Sequence, residues 1–173
     1  DITLQLKSIL EQQIHTENLD YLFYNIELPL LSVLIDVERA GVSLDVVSLS
    51  SSSKLLTTKM NEIEKHVFDL VGFEFNLSSP KQVGEVIFDK LQIIENAKKT
   101  KTGQYSTSEE VLESLRGKHQ VIDYILEYRG IKKLLSTYID SLPLLLNSKT
   151  HKLHTSFNQC ITSTGRLSSS NPN

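Results

Sequence analysis

The sequence has few of the residues that build disulfide-linked, metal-binding or membrane proteins. Its 173 residues include a single cysteine, Cys160, which excludes an internal disulfide and a zinc site built on several cysteines. No apolar run approaches the roughly 18 residues of a membrane span, and no basic-then-apolar leader opens the chain. A cytoplasmic, reducing compartment fits this composition best. The chain opens on Asp1 without Met and stops at Asn173, so we expect a piece of a larger protein.

An excess of positive charge is also missing. The 18 basic and 21 acidic residues give a net charge of −3, which is not the basic balance of a strong autonomous nucleic-acid binder. Seven glycines and four prolines leave few tight turns and predict long helices. A chain of this length and apolar content can bury a sizeable core. Any binding of nucleic acid must therefore come from local basic patches.

Apolar residues repeat at three- to four-residue spacing along most of the chain, which is typical of amphipathic helices. The predicted helices cover residues 1–13, 21–40, 44–71 and 118–142. A kink or a new helix start is expected near Leu28, because Pro29 has no amide hydrogen to donate. The last helix has the strongest buried stripe, which comprises Val121, Ile122, Ile125, Leu126, Leu134, Leu135, Tyr138 and Ile139.

Shorter elements complete the predicted fold. The predicted capping boxes pair Ser79 with Gln82 and Thr107 with Glu110. Residues 96–106 are polar, basic and almost without apolar anchors, so we expect a mobile loop there. Residues 151–162 alternate loosely between polar and apolar and predict a strand. The fold class is therefore mainly α, with a long helix pair and a small β element near the C-terminus.

No group of residues is spaced for catalysis or for metal binding. Asp36 and Glu38 lie two residues apart on a predicted helix and therefore point to different faces. His151 and His154 are three residues apart in a predicted strand and again lie on opposite faces. The nucleophile elbow, the Walker loop and the zinc-hydrolase helix are all missing. The sequence predicts no catalytic residue, metal ligand or cofactor site in this chain.

Two segments outside the long helices concentrate groups that bind phosphate. The loop over residues 96–106 contains Lys98, Lys99 and Lys101, and its composition also fits an ordinary solvated loop. Residues 162–173 combine many hydroxyl side chains, a glycine and one arginine. This segment is either a polar tail or a loop that presents donors to phosphates, sugars or base edges.

A third basic site lies on the last long helix. Arg129 and Lys133 are four residues apart and lie off the predicted buried stripe, so a basic edge is expected to face outward. Such an edge suits the phosphates of a duplex backbone, and a solvated helix face is the alternative. Gly130 costs the helix about 1 kcal/mol relative to Ala, and a glycine at such a position usually permits close approach of a backbone or ligand.

Several motifs resemble family A DNA polymerases, the bacterial DNA polymerase I type. Residues 162–173 (TSTGRLSSSNPN) resemble the segment that opens the palm of this family. Residues 76–82 (NLSSPKQ) resemble its thumb-tip signature, and residues 106–112 (STSEEVL) follow at the expected distance. The other matching segments are 127–130 (EYRG) with Lys133 and 136–138 (STY) in the long thumb helix, 154–157 (HTSF) in the next strand, and 27–30 (ELPL) and 38–42 (ERAGV) in the helix entering the polymerase domain. The resemblance spans essentially the whole chain, in order.

The resemblance implies a mostly helical thumb that grips the minor groove of primer–template DNA. Arg166 matches the arginine that contacts the primer end, the helix residues match basic groups near the duplex backbone, and the lysine loop matches the flexible thumb tip. The implied DNA-binding residues are Arg166, Thr164, Ser168, Arg129, Lys133, Lys98, Lys99 and Lys101. The implied domains are the last helix of an exonuclease-type domain (1–20), the thumb (21–147) and the start of the palm (148–173).

In this family the palm supplies two metal-binding carboxylates, which would lie beyond Asn173. The parent polymerase would therefore join nucleotides with Mg²⁺ in DNA replication and repair, whereas this chain by itself would be an inactive monomer. The alternative is a helical protein-interaction module with a thumb-like fold. Salt-dependent binding to primer–template DNA would favour the polymerase, and a tight protein partner with indifference to DNA would favour the module.

Overall fold

The computed structural model describes residues 1–94, 97, 99, 100 and 103–173, and its mainly helical architecture confirms the predicted fold class. The helices are α1 (Ile2–Thr16), α2 (Asp20–Leu22), α3 (Leu28–Ala40), α4 (Val46–Val71), α5 (Pro80–Gly84), α6 (Glu109–Glu113) and α7 (Gln120–Leu134). The strands are β1 (Val42–Ser43), β2 (Lys152–Leu153), β3 (Ser156–Asn158) and β4 (Ser168–Ser170). The π-helical turns are Phe23–Glu27, Glu85–Lys90 and Leu135–Ile139, and a 3₁₀ turn follows at Leu142–Leu145.

The chain divides into two compact units. Residues 45–144 contain α4 to α7, while residues 1–44 and 145–173 together contain α1 to α3 and all the strands named above. The family domains implied by the resemblance, at residues 1–20, 21–147 and 148–173, are a different kind of division and stay a prediction.

The unit of residues 45–144 is built around an apolar core between α4 and α7. Helix α4 starts at the side chain of Asp45, which accepts a hydrogen bond from the Ser48 amide at 2.9 Å, as an N-cap does. Farther along, its buried side of Ile63 and Val67 packs into the core. The fully buried side chains of this core are Val67, Leu77, Val83, Ile87, Leu112, Val121, Ile122 and Ile125. Because every long helix of the unit contributes to it, this core fixes the position of α7.

The predicted buried stripe on the last long helix is partly wrong. Leu134 is 43 % exposed and Tyr138 is 44 % exposed, whereas Leu135 and Ile139 are buried. The α-helical pattern stops at Leu134, and the next turn is π-helical. The exposure of Leu134 lies before this turn and is independent of it. Because a π turn contains more residues than an α turn, the side-chain positions from Tyr138 onward are shifted around the helix axis. Sequence periodicity of 3.6 residues does not anticipate this shift.

The first predicted capping box is confirmed at its Ser79 cap but not in the return bond from Gln82 to Ser79, and the second is wrong. The Ser79 hydroxyl accepts from the Gln82 amide at 3.4 Å, while the Gln82 side chain accepts from the amide of Asn76 at 2.7 Å. Helix α6 is capped by Ser108 rather than by Thr107. Thr107 is instead buried, with 6 % of its surface exposed, because it has a partner elsewhere in the unit.

The other unit contains the predicted β element in a different form. The predicted strand over residues 151–162 is two short strands, of which β2 pairs with β1 and β3 pairs with β4, both antiparallel. The partner strand β4 lies in the segment predicted to be a loop or tail. Helix α3 begins at Leu28 as expected, and the Leu28 amide donates to the Phe23 carbonyl in the π turn before it.

Polar contacts hold this second unit together. The carboxylate of Glu38 accepts from the Phe157 amide at 2.6 Å, and the backbone carbonyl of Glu38 accepts from Nδ1 of His154 at 2.7 Å. Gln159 donates from Nε2 to the carboxylate of Glu27 at 2.6 Å. Helix α1 buries none of its residues. Across the described residues, no helix is both long enough and apolar enough to cross a bilayer.

Candidate nucleic-acid interface

A cleft of about 140 Å³ lies along α7 at the predicted basic edge. Its walls are formed by Glu109, Leu126, Arg129, Gly130 and Lys133. A side chain added at Gly130 would meet no described atom within 4 Å. The glycine therefore leaves the helix backbone open to an approaching group, which agrees with the reason expected for a glycine at this position.

Lys133 is the exposed cation of this cleft. Within the described part of the chain, its ammonium group has neither an ion pair nor a hydrogen bond. The prediction that this edge faces outward is confirmed for Lys133. A lysine without an internal partner can pair with an anion without first breaking an existing contact.

Arg129 is oriented differently from the outward direction that the sequence predicts. It is half-buried, and its guanidinium donates from Nη1 to the Thr107 carbonyl at 2.5 Å and from Nη2 to the Thr107 hydroxyl at 3.3 Å. Burial lowers the pKa of Arg129, although an arginine stays charged near pH 7. No carboxylate pairs with Arg129 among the described residues, although Glu109 lines the same cleft.

A second polar cluster joins α7 to the thumb-tip signature. The ammonium of Lys132 contacts the Ser78 hydroxyl and lies 5.9 Å from the centre of the Tyr128 ring. The Tyr128 hydroxyl is 3.4 Å from the same serine oxygen. Both segments belong to motifs described above, but Ser78, Tyr128 and Lys132 are not among the predicted site residues. Their spacing along the chain gives no sign of the contact, since 54 residues separate Ser78 from Lys132.

At the predicted lysine loop, Lys98 and Lys101 lie outside the described residues. Lys99 forms a β-bridge with Tyr105, and its ammonium lies 4.6 Å from the centre of the tyrosine ring. The Tyr105 ring packs 4.8 Å from that of Phe88, and its hydroxyl donates to Asp89 at 2.5 Å. That hydrogen bond, together with burial and the negative charge of Asp89, raises the pKa of Tyr105. The prediction that this loop lacks apolar anchors is therefore wrong at Tyr105.

The remaining predicted residues belong to the other unit. Arg166 and Thr164 are exposed, and in the described chain the Arg166 guanidinium has no ion pair or hydrogen bond. The Thr162 hydroxyl donates to the Arg166 carbonyl, which closes the loop between β3 and β4. Ser168 lies on β4 with its hydroxyl oxygen buried and, in the part of the chain that the structure describes, without a hydrogen-bond partner. Arg166 and Thr164 are therefore accessible to a ligand, whereas the Ser168 hydroxyl is not.

The predicted residues thus fall into separate places. Arg129 and Lys133 line one cleft, and Lys99 lines another with Lys81, Glu85 and Asp89. Arg166 and Thr164 occupy a loop of the second unit. Over the described ranges, no group of three or more His, Cys, Asp or Glu side chains is clustered to hold a metal ion. The chemistry that these sites offer is the binding of anions by fixed cations and hydroxyl donors.

Comparison with known proteins identifies relatives of the whole chain. The model of the family described as DNA polymerase family A matches residues 46–173. DNA polymerase I of Bacillus subtilis is 45 % identical over 97 % of this chain, and the match covers 19 % of that protein. The thermostable DNA polymerase I of Thermus thermophilus is 48 % identical over 91 % of the chain and is likewise covered to 19 %. The chain thus spans about a fifth of the length of these curated relatives.

A solved structure has the same fold. It is described as the POL domain of Pol1 from M. smegmatis in complex with DNA primer-template and dNTP. It covers 98 % of this chain with a TM-score of 0.85 and 34 % sequence identity, and the match accounts for 30 % of that chain. The similarity extends over both compact units.

Proposed function

Since the chain belongs to DNA polymerase family A, we propose that its helical region, residues 21–147, is the thumb that grips primer–template DNA in a longer, template-directed DNA polymerase. Residues 1–20 would then be the end of an exonuclease-type domain, and residues 148–173 the start of the palm. The similar M. smegmatis polymerase domain, described in complex with DNA primer-template and dNTP, supports DNA as the partner.

The cleft at Gly130 is the observation that carries this proposal. Within the described residues, it combines an exposed lysine without a partner, a half-buried arginine that donates to Thr107, and a glycine that leaves the helix backbone uncovered. A phosphate group of a DNA strand supplies the negatively charged partner for the Lys133 ammonium, and it is small enough to approach the backbone at Gly130. Contacts of this kind position a duplex without reading its sequence.

Arg166 and Thr164 have a different part in the proposal. Their loop is exposed and its arginine is unpaired within the described chain, so both side chains are free to contact DNA. The acceptors of the minor groove are similar for all base pairs. A guanidinium in that groove can therefore test pairing geometry at the primer end without selecting a sequence. Ser168 would act by supporting this loop, since its hydroxyl is buried.

Catalysis belongs to the parent protein in this proposal. The clustered carboxylates that bind divalent metal would lie in the rest of its length, with Mg²⁺ as the metal and nucleotidyl transfer in DNA replication and repair as the reaction. The parent would act in the cytoplasm, where its exposed cysteine, Cys160, stays reduced. We expect the chain by itself, as a monomer, to extend no primer in the presence of Mg²⁺ and the four nucleotides. Extension that survives removal of contaminating polymerase would contradict this expectation.

The experiment is a titration of the chain with primer–template DNA at several salt concentrations. The net charge is −3 and the cationic contacts are few, so we expect a Kd on the order of 10⁻⁴ M at physiological salt. Lys133→Ala should weaken binding and lower the slope of log K against log salt by about 0.9, the value for one phosphate contact. Lys65→Ala removes an exposed charge from α4 and is the matched control. Equal effects of the two substitutions would refute the cleft as the phosphate site.

One observation favours the second candidate, a protein-interaction module. Helix α1 exposes 81 % of Ile2 and 66 % of Leu4 and buries no residue, which is typical of a surface that contacts another protein. If the chain ignored DNA at low salt but bound a protein tightly through α1, this second function would replace the first. Ile2→Ser/Leu4→Ser would then abolish that binding.

A further inference from the structure

Thr107 is a polar residue that is buried in the unit of residues 45–144. With 6 % of its surface exposed, it is the polar residue that falls in the buried class among the residues described. Both of its hydrogen-bonding oxygens, the carbonyl and the hydroxyl, accept from the guanidinium of Arg129. A buried carbonyl or hydroxyl without a hydrogen-bond partner costs free energy. The two donors of Arg129 remove this cost and so stabilise Thr107 in the interior.

The chain on either side of Thr107 is fitted to the same surface. A Cβ atom at Gly84 would come within 3.0 Å of Tyr105 Cβ and 3.4 Å of Thr107 Cγ2, so residues 105–107 lie directly against the backbone of α5. On the other side, Ser108 caps α6, and Glu109 of that helix lines the cleft that contains Lys133. The position of Thr107 therefore fixes both the C-terminal end of the lysine loop, at Tyr105, and one wall of the cleft.

The shape of the arginine suits this task. A guanidinium is a planar fork whose donors reach two acceptors at once, whereas a lysine ammonium is a compact charge on a flexible stem. The carbonyl and hydroxyl oxygens of Thr107 are placed to accept from two nitrogens of the same guanidinium. Two of the five guanidinium donors are thus already used in the interior, in contrast with Lys133, whose donors are all free within the described chain.

We propose that Arg129 is a positioning residue, which holds residues 105–107 on α5 and α7 and so shapes the cleft in which Lys133 binds DNA. Its effect on DNA affinity is exerted through Thr107 and the wall of the cleft, and the contact with phosphate is made by Lys133. The part of this inference that concerns DNA rests on the proposed function. The part that concerns the position of residues 105–107 does not.

The test uses the whole chain and the substitution Arg129→Lys, which keeps the charge but removes the fork. In NMR spectra, the α-protons of Gly84 should give cross-peaks to the Tyr105 β-protons and to the Thr107 methyl group. We expect Arg129→Lys to abolish these cross-peaks, while those between Phe68 and Phe75, whose rings are 5.8 Å apart, persist and show that the core is folded. Thr107→Val, which keeps the branched shape and removes one acceptor, should weaken the same cross-peaks.

DNA binding is measured on the same variants. Arg129→Lys should weaken binding to primer–template DNA about fivefold with an unchanged salt slope, because the positive charge is retained. Lys133→Ala is the matched control, which should lower the salt slope and leave the Gly84 cross-peaks intact. Persistence of the cross-peaks in Arg129→Lys would overturn the positioning role, and unchanged affinity despite their loss would overturn its link to DNA. If the unsubstituted chain showed no salt-dependent binding to DNA, the proposed function would fail. The cross-peaks would still decide the positioning role of Arg129.

Discussion

Residues 45–144 are organised around a continuous apolar core, whereas residues 1–44 and 145–173 are joined mainly by hydrogen bonds. All the buried apolar side chains of the described chain except Leu34 and Leu153 belong to the first unit. In the second unit, the Glu38 side chain ties β3 to α3, and the Glu27 side chain ties Gln159, just after β3, to the π turn before α3. Burial of apolar surface is the dominant favourable contribution to folding, so the first unit should account for most of the stability of the chain.

The same contrast applies to the proposed sites. The cleft with Lys133 lies on a helix whose opposite side is locked into a core, and its geometry is therefore set before any ligand arrives. The loop with Arg166 lies between two short strands, and its Ile161 and Leu167 side chains are exposed. The proposed phosphate site and the proposed primer-end loop therefore have different structural supports.

The largest expected effect comes from the core of the first unit. Ile125 is fully buried in α7, so Ile125→Ala leaves a cavity and should lower the free energy of unfolding by about 2–5 kcal/mol. Leu4→Ala in the exposed α1 should change it by no more than about 0.5 kcal/mol. Urea unfolding followed by circular dichroism measures both. Similar losses in the two variants would mean that the units do not differ in the way described.

Arg166 should affect extension more than affinity. In the intact polymerase, Arg166→Ala should slow single-turnover extension of a matched primer about tenfold, the effect of losing one good contact in a groove. It should also change the ratio of rates on matched and mismatched primers. Arg39→Ala removes another exposed arginine of the same unit and is the control. If Arg166→Ala reproduced the parent's rates on both primers, the loop would have no part in testing the primer end.

The hydrogen bonds of the second unit give a smaller effect. Glu38→Ala removes the acceptor of the Phe157 amide and should destabilise the chain by about 1 kcal/mol. Glu38→Gln keeps an acceptor oxygen in place and should recover most of that loss. Amide hydrogen exchange at Phe157 reports the contact directly. An exchange rate that Glu38→Ala leaves unchanged would show that this bond does not hold β3.

The smallest effect concerns pH and the cap of α4. Hydrogen bonds from the amide and hydroxyl of Ser48 lower the pKa of Asp45 below its usual value. A lowered pKa in the folded state means that the stabilisation is present above the unfolded value and is lost as pH falls through the folded one. Asp45→Ala should therefore lower Tm slightly at neutral pH, and the difference from the parent should vanish in acid. A difference that grew below pH 4 would contradict this assignment.

Local patterns account for the parts of the fold that the sequence predicts correctly. The helices follow from apolar spacing, and Ser79 and the start of α3 near Pro29 follow from chemistry within a few residues. Strand β4 could not be predicted in this way, because Ser168–Ser170 has no apolar alternation and becomes a strand only by pairing with β3. Pairing between distant segments is a property of the tertiary structure rather than of local preference.

The candidate site was predictable to a similar extent. Exposure of Lys133 follows from its position off the apolar stripe, and the open space at Gly130 follows from the absence of a side chain. The partner of Arg129 could not be predicted, since Thr107 lies 22 residues away and was assigned to a helix cap. Thr107, predicted to cap a neighbouring helix, instead accepts hydrogen bonds from Arg129 of α7.

The π turn after α7 has a consequence for insertions and deletions. The amide of Asp140 donates to the carbonyl of Leu135 at 2.9 Å, which is one residue farther back than an α-helix would place the acceptor. Deleting a single residue between Leu135 and Asp140 would leave that amide four residues from the same carbonyl, which is the α-helical spacing. The residues that follow would keep their orientation, and the Asp140 carboxylate would still accept from the Ser53 hydroxyl, as it does now at 2.7 Å. A one-residue deletion in the regular part of α7 would instead rotate everything that follows by about 100°.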